Sequence, residues 1–281
     1  MAYSAEISRT NPTCFLFLID QSLSMEEPFG GESGNKKKAD GVADAINRLL
    51  QTLVLRCAKS EGVRDYFHVG VVGYGSRVGP AFGGPLAGVR LAPISEIANK
   101  PLRLEQRVRK VDDGAGGLVD QTIKFPVWFD AVSDGSTPMC EALKLGKAIV
   151  GEFIQRTPSC FPPLVVNITD GEANDGNPER PAGELRDLHS SDGPVLLFNV
   201  HLSSIRSQPI EFPDVEKDLP DDYARMLFRM SSPLPSRMSE AASKDGLRVT
   251  ANSHGFVFNA DLVSVIRFLD IGTRVDAKNL R

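Results

Sequence analysis

The sequence lacks several features that would assign it to a common class of protein. Its 281 residues include only four cysteines, which lie far apart and form no Cys-x-x-Cys pair. We therefore expect neither a zinc knuckle nor a dense disulfide framework. Cys14, Cys57 and Cys140 lie in apolar segments, which predicts reduced, buried thiols. The four histidines show no mutual spacing that suits a zinc site or a nucleophile–base pair.

Long apolar runs and a large excess of charge are also missing. No apolar run approaches the roughly 18 residues of a membrane-spanning helix, and Met1 to Pro12 is polar, so we expect neither a signal peptide nor an anchor. The net charge of −4 and the pI near 5.7 give no general electrostatic reason to bind nucleic acid or an anionic membrane. These absences predict a cytoplasmic location.

The motifs of several enzyme classes are absent as well. No Gly-x-Gly-x-x-Gly turn follows the first predicted strand, which argues against dinucleotide binding. The glycine-rich stretch 114–117 is not followed by the Lys-Ser or Lys-Thr of a phosphate loop. A phosphatase that forms an aspartyl-phosphate needs a second acid two residues after its nucleophile, and the residue two after Asp20 is Ser22. We expect that the chain is not an enzyme.

Two apolar runs that end abruptly at an aspartate are present. Cys14 to Ile19 leads into Asp20, and a run from Pro163 leads into Asp170. Such runs indicate strands that are buried on both faces, as in the middle of a parallel sheet. Open α/β sheets place their ligand sites in the loops at the carboxyl ends of these strands. The sequence therefore predicts a polar site where the two strands end.

Strand and helix patterns alternate along most of the chain. We predict an α/β fold with a doubly wound, mostly parallel, Rossmann-like sheet, helices on both faces and an inserted β-hairpin. The predicted unit is one domain, 1–281, with a core at about 13–271, a loop insertion at 26–38, a hairpin insertion at 77–135 and an elaborated linker at 204–254. Predicted strands are 66–74, 103–111, 118–129, 163–169, 195–202 and 255–259, and predicted helices begin at 39, 137, 179, 221, 235 and 262. The first of these helices is expected to end near Gly62, and Thr137 is expected to be the N-cap of the second.

Three polar pieces are predicted to meet at one edge of this sheet: Asp20 to Ser24, Ser136 to Pro138 at a helix start, and Thr169 to Glu172. Taken alone, the serines would be turn or cap residues. In register, these hydroxyl and carboxylate oxygens suit a hard cation that keeps several waters, Mg²⁺ above all, with Mn²⁺ or Ca²⁺ as alternatives. The predicted metal ligands are Asp20, Ser22, Ser24, Thr137 and Asp170.

The residues around this predicted site have simpler interpretations. Glu172 and Asp175 are expected to face solvent. The run 36–38 contains three lysines, which either border the ion or form an ordinary solvated loop. Trp128 is expected to pack within the hairpin.

The Asp-x-Ser-x-Ser loop, the separate threonine and the separate Asp-Gly together resemble the metal-ion-dependent adhesion site of the von Willebrand factor A family. By that resemblance, Ser22, Ser24 and Thr137 would ligate the ion through their hydroxyls, while Asp20 and Asp170 would act through waters and hydrogen bonds. The motif Thr-Pro-Met-x-Glu-Ala-Leu from Thr137 is similar to that of cytoplasmic bacterial members encoded in tellurium-resistance and kinase–phosphatase operons.

The resemblance implies a metal-dependent protein-interaction module, an adaptor or regulator, whose ion binds an Asp or Glu carboxylate supplied by a partner protein. The partner would be a kinase, phosphatase or ATPase encoded nearby, with no role for nucleic acid or membrane. The alternative is a metal-dependent phosphohydrolase or a regulatory subunit of a kinase–phosphatase system, because a hard cation beside carboxylates also serves phosphoryl transfer.

Overall fold

A central, mostly parallel sheet organises the computed structural model, which describes residues 3–5, 7–29, 36–112, 117–204 and 208–273. The strands are β1 (Thr13–Asp20), β2 (Ala58–Lys59), β3 (Gly62–Val63), β4 (Phe67–Tyr74), β5 (Val78–Pro80), β6 (Ala92–Pro93), β7 (Arg103–Asp112), β8 (Leu118–Val127), β9 (Leu164–Thr169), β10 (His189–Ser190), β11 (Gly193–Pro194), β12 (Leu196–Leu202), β13 (Ile210–Glu211) and β14 (Phe256–Ala260). The α-helices are α1 (Lys38–Cys57), α2 (Ile94–Asn99), α3 (Met139–Arg156), α4 (Glu179–Arg186), α5 (Asp222–Met230), α6 (Ser236–Lys244) and α7 (Leu262–Thr273).

The strand order of this sheet is β13-β14-β12-β9-β1-β4-β5, and β6 pairs with β4. Strands β1, β4, β9, β12 and β14 pair in parallel. Antiparallel pairing occurs where β5 and β6 join β4 and where β13 joins β14. The predicted α/β class with a mostly parallel sheet is therefore confirmed. The carboxyl ends of β1 and β9 lie side by side at one edge.

Both faces of β1 are buried because its side chains alternate between two hydrophobic clusters. Phe15 and Phe17 join the cluster that includes side chains of α1 and α7. Leu16 and Leu18 join the cluster that includes side chains of α3, α4 and α5. Helices therefore cover both faces of the sheet, which explains why the run that forms β1 is almost entirely apolar. The four cysteines are free and buried, as expected.

A chain of hydrogen bonds between polar side chains crosses the buried middle of the sheet. The Tyr74 hydroxyl donates to Asn167 Oδ1 at 2.7 Å, Asn167 Nδ2 donates to Asn199 Oδ1 at 3.0 Å, and Asn199 Nδ2 donates to Ser231 Oγ at 2.9 Å. Both asparagines are fully buried. Because each amide finds a partner on the next element, the chain links β4, β9, β12 and the end of α5.

The predicted hairpin strands form a separate two-stranded sheet, which we call the arm: β7 and β8, paired antiparallel from Arg103↔Val127 to Asp112↔Leu118. The arm is the hairpin that the sequence predicted; it pairs with none of the other described strands and meets the body of the protein at its base. There Trp128 is buried and its Nε1 donates to the Ile97 carbonyl at 2.7 Å. Ile97 belongs to α2, which is too short to show a helical period and was not predicted.

Two helix boundaries differ from the sequence-based expectation. Helix α3 begins at Met139 with Pro138 in the capping position, so Thr137 is not the N-cap. Helix α1 ends at Cys57 rather than near Gly62, because the next residues turn back in the short β2–β3 ladder. Residues 30–35 of the predicted loop 26–38, residues 113–116 of the predicted turn and residues 205–207 of the linker lie outside the described residues.

Candidate functional site

Asp20 lies at the end of β1, where neutral donors surround its carboxylate. The backbone N–H of Ser22 donates to Oδ1 at 2.9 Å and Thr169 Oγ1 donates to Oδ2 at 2.7 Å. Burial raises the pKa of Asp20 to about 6, although the hydrogen bonds from Ser22 and Thr169 oppose that rise, and the nearby Asp170 adds to it. Asp20 therefore fixes the turn after β1 by accepting bonds from it.

Asp170 follows β9 and is held by a hydroxyl and an ammonium group. Ser24 Oγ donates to Asp170 Oδ1 at 2.7 Å, and the two hydroxyls of Ser22 and Ser24 lie 3.0 Å apart. Lys38 Nζ lies 2.8 Å from Asp170 Oδ2 and 3.2 Å from Glu27 Oε2. The Asp170 side chain is fully buried and that of Lys38 is only 4% exposed. A buried charge of this kind requires a charged partner, and Lys38 supplies it.

Thr137 approaches the same group from the turn before α3. A methyl group added at Gly171 would lie 3.6 Å from Thr137 Oγ1 and 4.0 Å from Ser24 Oγ. Thr137 is 7% exposed, and its carbonyl accepts the N–H groups of Met139 and Asn174. The structure thus brings together all five residues predicted from the sequence, which we call the edge cluster: Asp20, Ser22, Ser24, Thr137 and Asp170.

Three nearby residues were not predicted in their observed roles. The sequence placed Lys38 either beside the predicted site or in a solvated loop, and the structure shows it buried against Asp170. Tyr223, from α5, donates its hydroxyl to the Gly171 carbonyl. Asp175 is exposed, as expected, but its carboxylate also accepts from the backbone N–H groups of Cys140 at 3.0 Å and Glu141 at 2.9 Å, so it caps the start of α3. The only signal in the sequence for this capping role is that Asp175 lies shortly after Asp170.

An open cleft of about 770 Å³ lies beside the edge cluster, and we call it the cleft. Its walls include Glu27, Asp170, Glu172, Asp221 and Asp222, with Lys38 as its basic residue. The pKa of Glu27 is lowered, first by the hydrogen bond from Ser204 Oγ and then by Lys38, so its carboxylate is ionised at neutral pH. The cleft therefore carries an excess of negative charge.

Aromatic rings form another wall of the cleft. His201 stacks on Phe258 with 4.5 Å between ring centroids and meets the edge of Tyr223 at 5.6 Å. Desolvation lowers the pKa of His201 to about 4, even though Asp170 and Asp221 act in the opposite direction. The imidazole is consequently neutral at pH 7 and behaves as one more aromatic ring.

The fit of a divalent cation to the edge cluster depends on Lys38. The hydroxyl and carboxylate oxygens are hard donors of the kind that Mg²⁺ accepts. However, the two Asp170 oxygens are engaged by Ser24 and Lys38, and a second cation beside the ammonium would be repelled. With Lys38 bonded to Asp170, the edge cluster does not fit the ion. Metal coordination by these five residues stays a prediction from the sequence. Among the described residues, no group of three or more His, Cys, Asp or Glu side chains is placed to hold a metal.

Comparisons with known proteins give no family. No family model matches the chain, and no curated protein matches it. Among solved structures, the PilB minor pilin from Streptococcus sanguinis is 12% identical, with a TM-score of 0.48, 98% of this chain covered and 63% of that chain. Proximal thread matrix protein 1 from the mussel byssus is 14% identical, with a TM-score of 0.41 and coverages of 93% and 47%.

A third similar structure contains three N-terminal domains of the type V pili tip protein Mfa5 from Porphyromonas gingivalis. It is 14% identical with a TM-score of 0.33, and the match covers 58% of this chain and 20% of that one. The chain spans less than two thirds of the length of each of these proteins. None of them is described as an enzyme.

These findings correct four expectations from the sequence. We withdraw the assignment to the von Willebrand factor A family, because no family model matches the chain and no group of three or more His, Cys, Asp or Glu side chains among the described residues is placed to hold a metal. The metal-dependent adaptor function and the phosphohydrolase alternative are withdrawn with it, as are the associated descriptions of the chain as a metal-binding adhesion-site protein. The physical reason is that Lys38 meets Asp170 where the ion was expected.

The expected cytoplasmic location is withdrawn as well, because it rested only on features that the sequence lacks. In the described ranges, none of the helices has both the length and the apolar character needed to cross a membrane.

Proposed function

We propose that the chain is a non-catalytic binding protein whose cleft receives a basic side chain, lysine or arginine, of a protein partner. One observation carries this proposal: at the floor of the cleft, the carboxylates of Asp170 and Glu27 already bind an ammonium group, that of Lys38. Contacts of the same kind, with the exposed carboxylates of Glu172, Asp221 and Asp222, are open to a cationic side chain that enters from outside.

The charge of the cleft supports this choice of ligand. Glu172, Asp221 and Asp222 line its open part and are exposed, whereas the single lysine is already paired. Complementary charge steers a partner to such a surface and selects against acidic partners. A partner that supplies an Asp or Glu carboxylate, as expected from the sequence, is disfavoured by this excess of negative charge.

The aromatic wall supports it too. Tyr223, Phe258 and the neutral His201 place ring faces and edges beside the carboxylates. A guanidinium or ammonium group is attracted to aromatic faces as well as to carboxylates. The cleft also lies beyond the carboxyl ends of parallel strands, which is the usual ligand position in open sheets. We include in the proposal that the sheet is doubly wound, supported by the helices on its two faces.

The test is a titration of the purified protein with two fluorescent peptides of equal length, one rich in Lys and Arg and one rich in Asp and Glu. We expect binding of the basic peptide only. Glu172→Gln combined with Asp222→Asn should weaken it by about tenfold, because each exposed charge contributes up to about 1 kcal/mol.

Glu240→Gln on α6 is the matched control, since it makes the same chemical change away from the cleft and should leave the affinity unchanged. The proposal fails if the basic peptide does not bind, or if the two cleft substitutions leave its affinity unaltered. Binding of the acidic peptide in a Mg²⁺-dependent manner would contradict it as well.

A further inference from the structure

The outer edge of β8 is an exposed strand edge whose backbone groups point away from β7. On the β7 side, the Val127 carbonyl accepts from the Leu102 N–H at 2.8 Å. On the opposite side, the Trp128 N–H donates to Asn47 Oδ1 and the Trp128 carbonyl accepts from the Gly83 N–H, both at 2.8 Å. Because backbone groups alternate in direction along a strand, the even-numbered residues of β8 direct theirs outward.

These outward residues are exposed beyond the base of the arm. Leu118, Asp120, Thr122 and Lys124 are all exposed, and within the described part of the chain β8 pairs only with β7. The next outward residue is Pro126, which has no N–H to leave unpaired and is typical of an edge strand. A long exposed edge is a template for pairing with another strand, and a two-stranded ribbon is only marginally stable alone.

The sequence of this edge is complementary to itself. If two copies of β8 pair antiparallel about Thr122, then Thr122 faces its own counterpart, and Asp120 of each copy faces Lys124 of the other. Opposite charges and threonine pairs are favourable cross-strand neighbours. Both charged side chains lie on the same face as Thr122, because alternate residues share a face.

We propose that β8 pairs with β8 of a second copy of this chain, antiparallel and centred on Thr122, so that two arms form one four-stranded sheet. The occupant is a second copy because the charge pattern matches itself in that register. The exposed Leu104 and Val108 on the same face of the arm would extend the joined surface.

Charge exchange tests the register. In sedimentation velocity the wild-type chain should shift from monomer to dimer as its concentration rises. Asp120→Lys and Lys124→Asp should each raise the dissociation constant at least about tenfold, because like charges then face each other. The double variant should restore association, and an equimolar mixture of the two single variants should form the heterodimer, since each then faces opposite charges.

Lys144→Asp on α3 is the control, because it exchanges an exposed charge outside the arm. Asp120 stands opposite Lys110 in the ladder, so circular dichroism and thermal melting must show that each variant is folded. Thr122→Cys gives a second readout. Hydrogen-bonded antiparallel pairs have Cα atoms about 5.5 Å apart, within the reach of a disulfide, and the native cysteines are buried.

Oxidised Thr122→Cys should run as a covalent dimer, whereas Gln121→Cys, off the axis and on the opposite face, should not. A wild-type chain that stays monomeric at every concentration would overturn the proposal, even if an extended peptide of another protein binds the edge. So would single charge variants that associate as the wild type does.

Discussion

The carboxyl edge of the sheet and the arm use charged residues in opposite ways. At the edge, Lys38 and Asp170 are almost completely buried and depend on each other. On the arm, Asp120 and Lys124 are exposed and already hydrated. The charged pair at the carboxyl edge therefore contributes to the stability of the fold. The charges on the arm have little effect on the stability of the monomer, and in the proposed dimer they select the partner strand.

The largest expected effect comes from breaking the buried pair at the edge. Lys38→Met leaves the Asp170 carboxylate buried without a cation, and removing one partner of a buried pair typically costs about 3–5 kcal/mol of unfolding free energy. Urea unfolding followed by circular dichroism measures it. Lys37→Met, next in the chain but exposed and paired with Glu26, should unfold like the wild type. Equal stability of the Lys38 and Lys37 variants would show that the pair is not buried as described.

The second effect is the pH dependence of stability that His201 causes beside the carboxyl edge of the sheet. The pKa of His201 in the folded protein is about 4, whereas in the unfolded chain it is near 6.5. Between these values the unfolded chain binds the extra proton, so the contribution of His201 to stability falls by about 3 kcal/mol as the pH is lowered from about 6.5 to about 4. Asp20, whose pKa is raised to about 6 in the folded protein, contributes in the opposite direction over this range.

His201→Phe should remove this contribution, so the slope of stability against pH should differ from that of the wild type. The difference in slope is the readout because the substitution also removes the acceptor of the Asn259 N–H. Asp170, Asp221 and Lys38 are the charged groups that act on this histidine. The exposed His189 offers a control: His189→Phe should keep the wild-type slope. A His201→Phe slope that equals the wild-type slope would contradict the assignment.

The smallest effect is expected on the arm. Leu104 is 58% exposed, so Leu104→Ser should change the unfolding free energy of the monomer by no more than about 0.5 kcal/mol. Leu18→Ala, in fully buried β1, should cost about 2–5 kcal/mol because it leaves a cavity. Thermal denaturation at low protein concentration measures both. A large loss for Leu104→Ser would mean that the face of the arm that carries Leu104 packs on the body of the protein.

The parts of the fold that follow from short-range pattern could be predicted from the sequence. The apolar runs of β1 and β9 predict buried strands. Because the two strands are parallel, Asp20 and Asp170 lie at the same edge of the sheet. The helix α2 has six residues, too few for a period to appear. That residues 1–281 form one domain stays a prediction.

The role of Lys38 could not be predicted because it depends on the path of the chain. A lysine that follows two others in a polar segment is most simply solvated, and only the position of α1 against β9 brings its ammonium group to Asp170. Asp175 is a similar case: its carboxylate caps a helix that begins far back in the sequence. Contacts between distant segments decide both roles.

The hydrogen-bonded chain through Tyr74, Asn167, Asn199 and Ser231 has a consequence for how the strands find their places. Hydrophobic strands such as β9 and β12 could slide along one another with little loss of apolar contact. A shift of one residue would carry Asn167 to the other face of the sheet and leave its amide and that of Asn199 unpaired in an apolar environment. The two asparagines thus destabilise sheets in which β9 and β12 pair out of register.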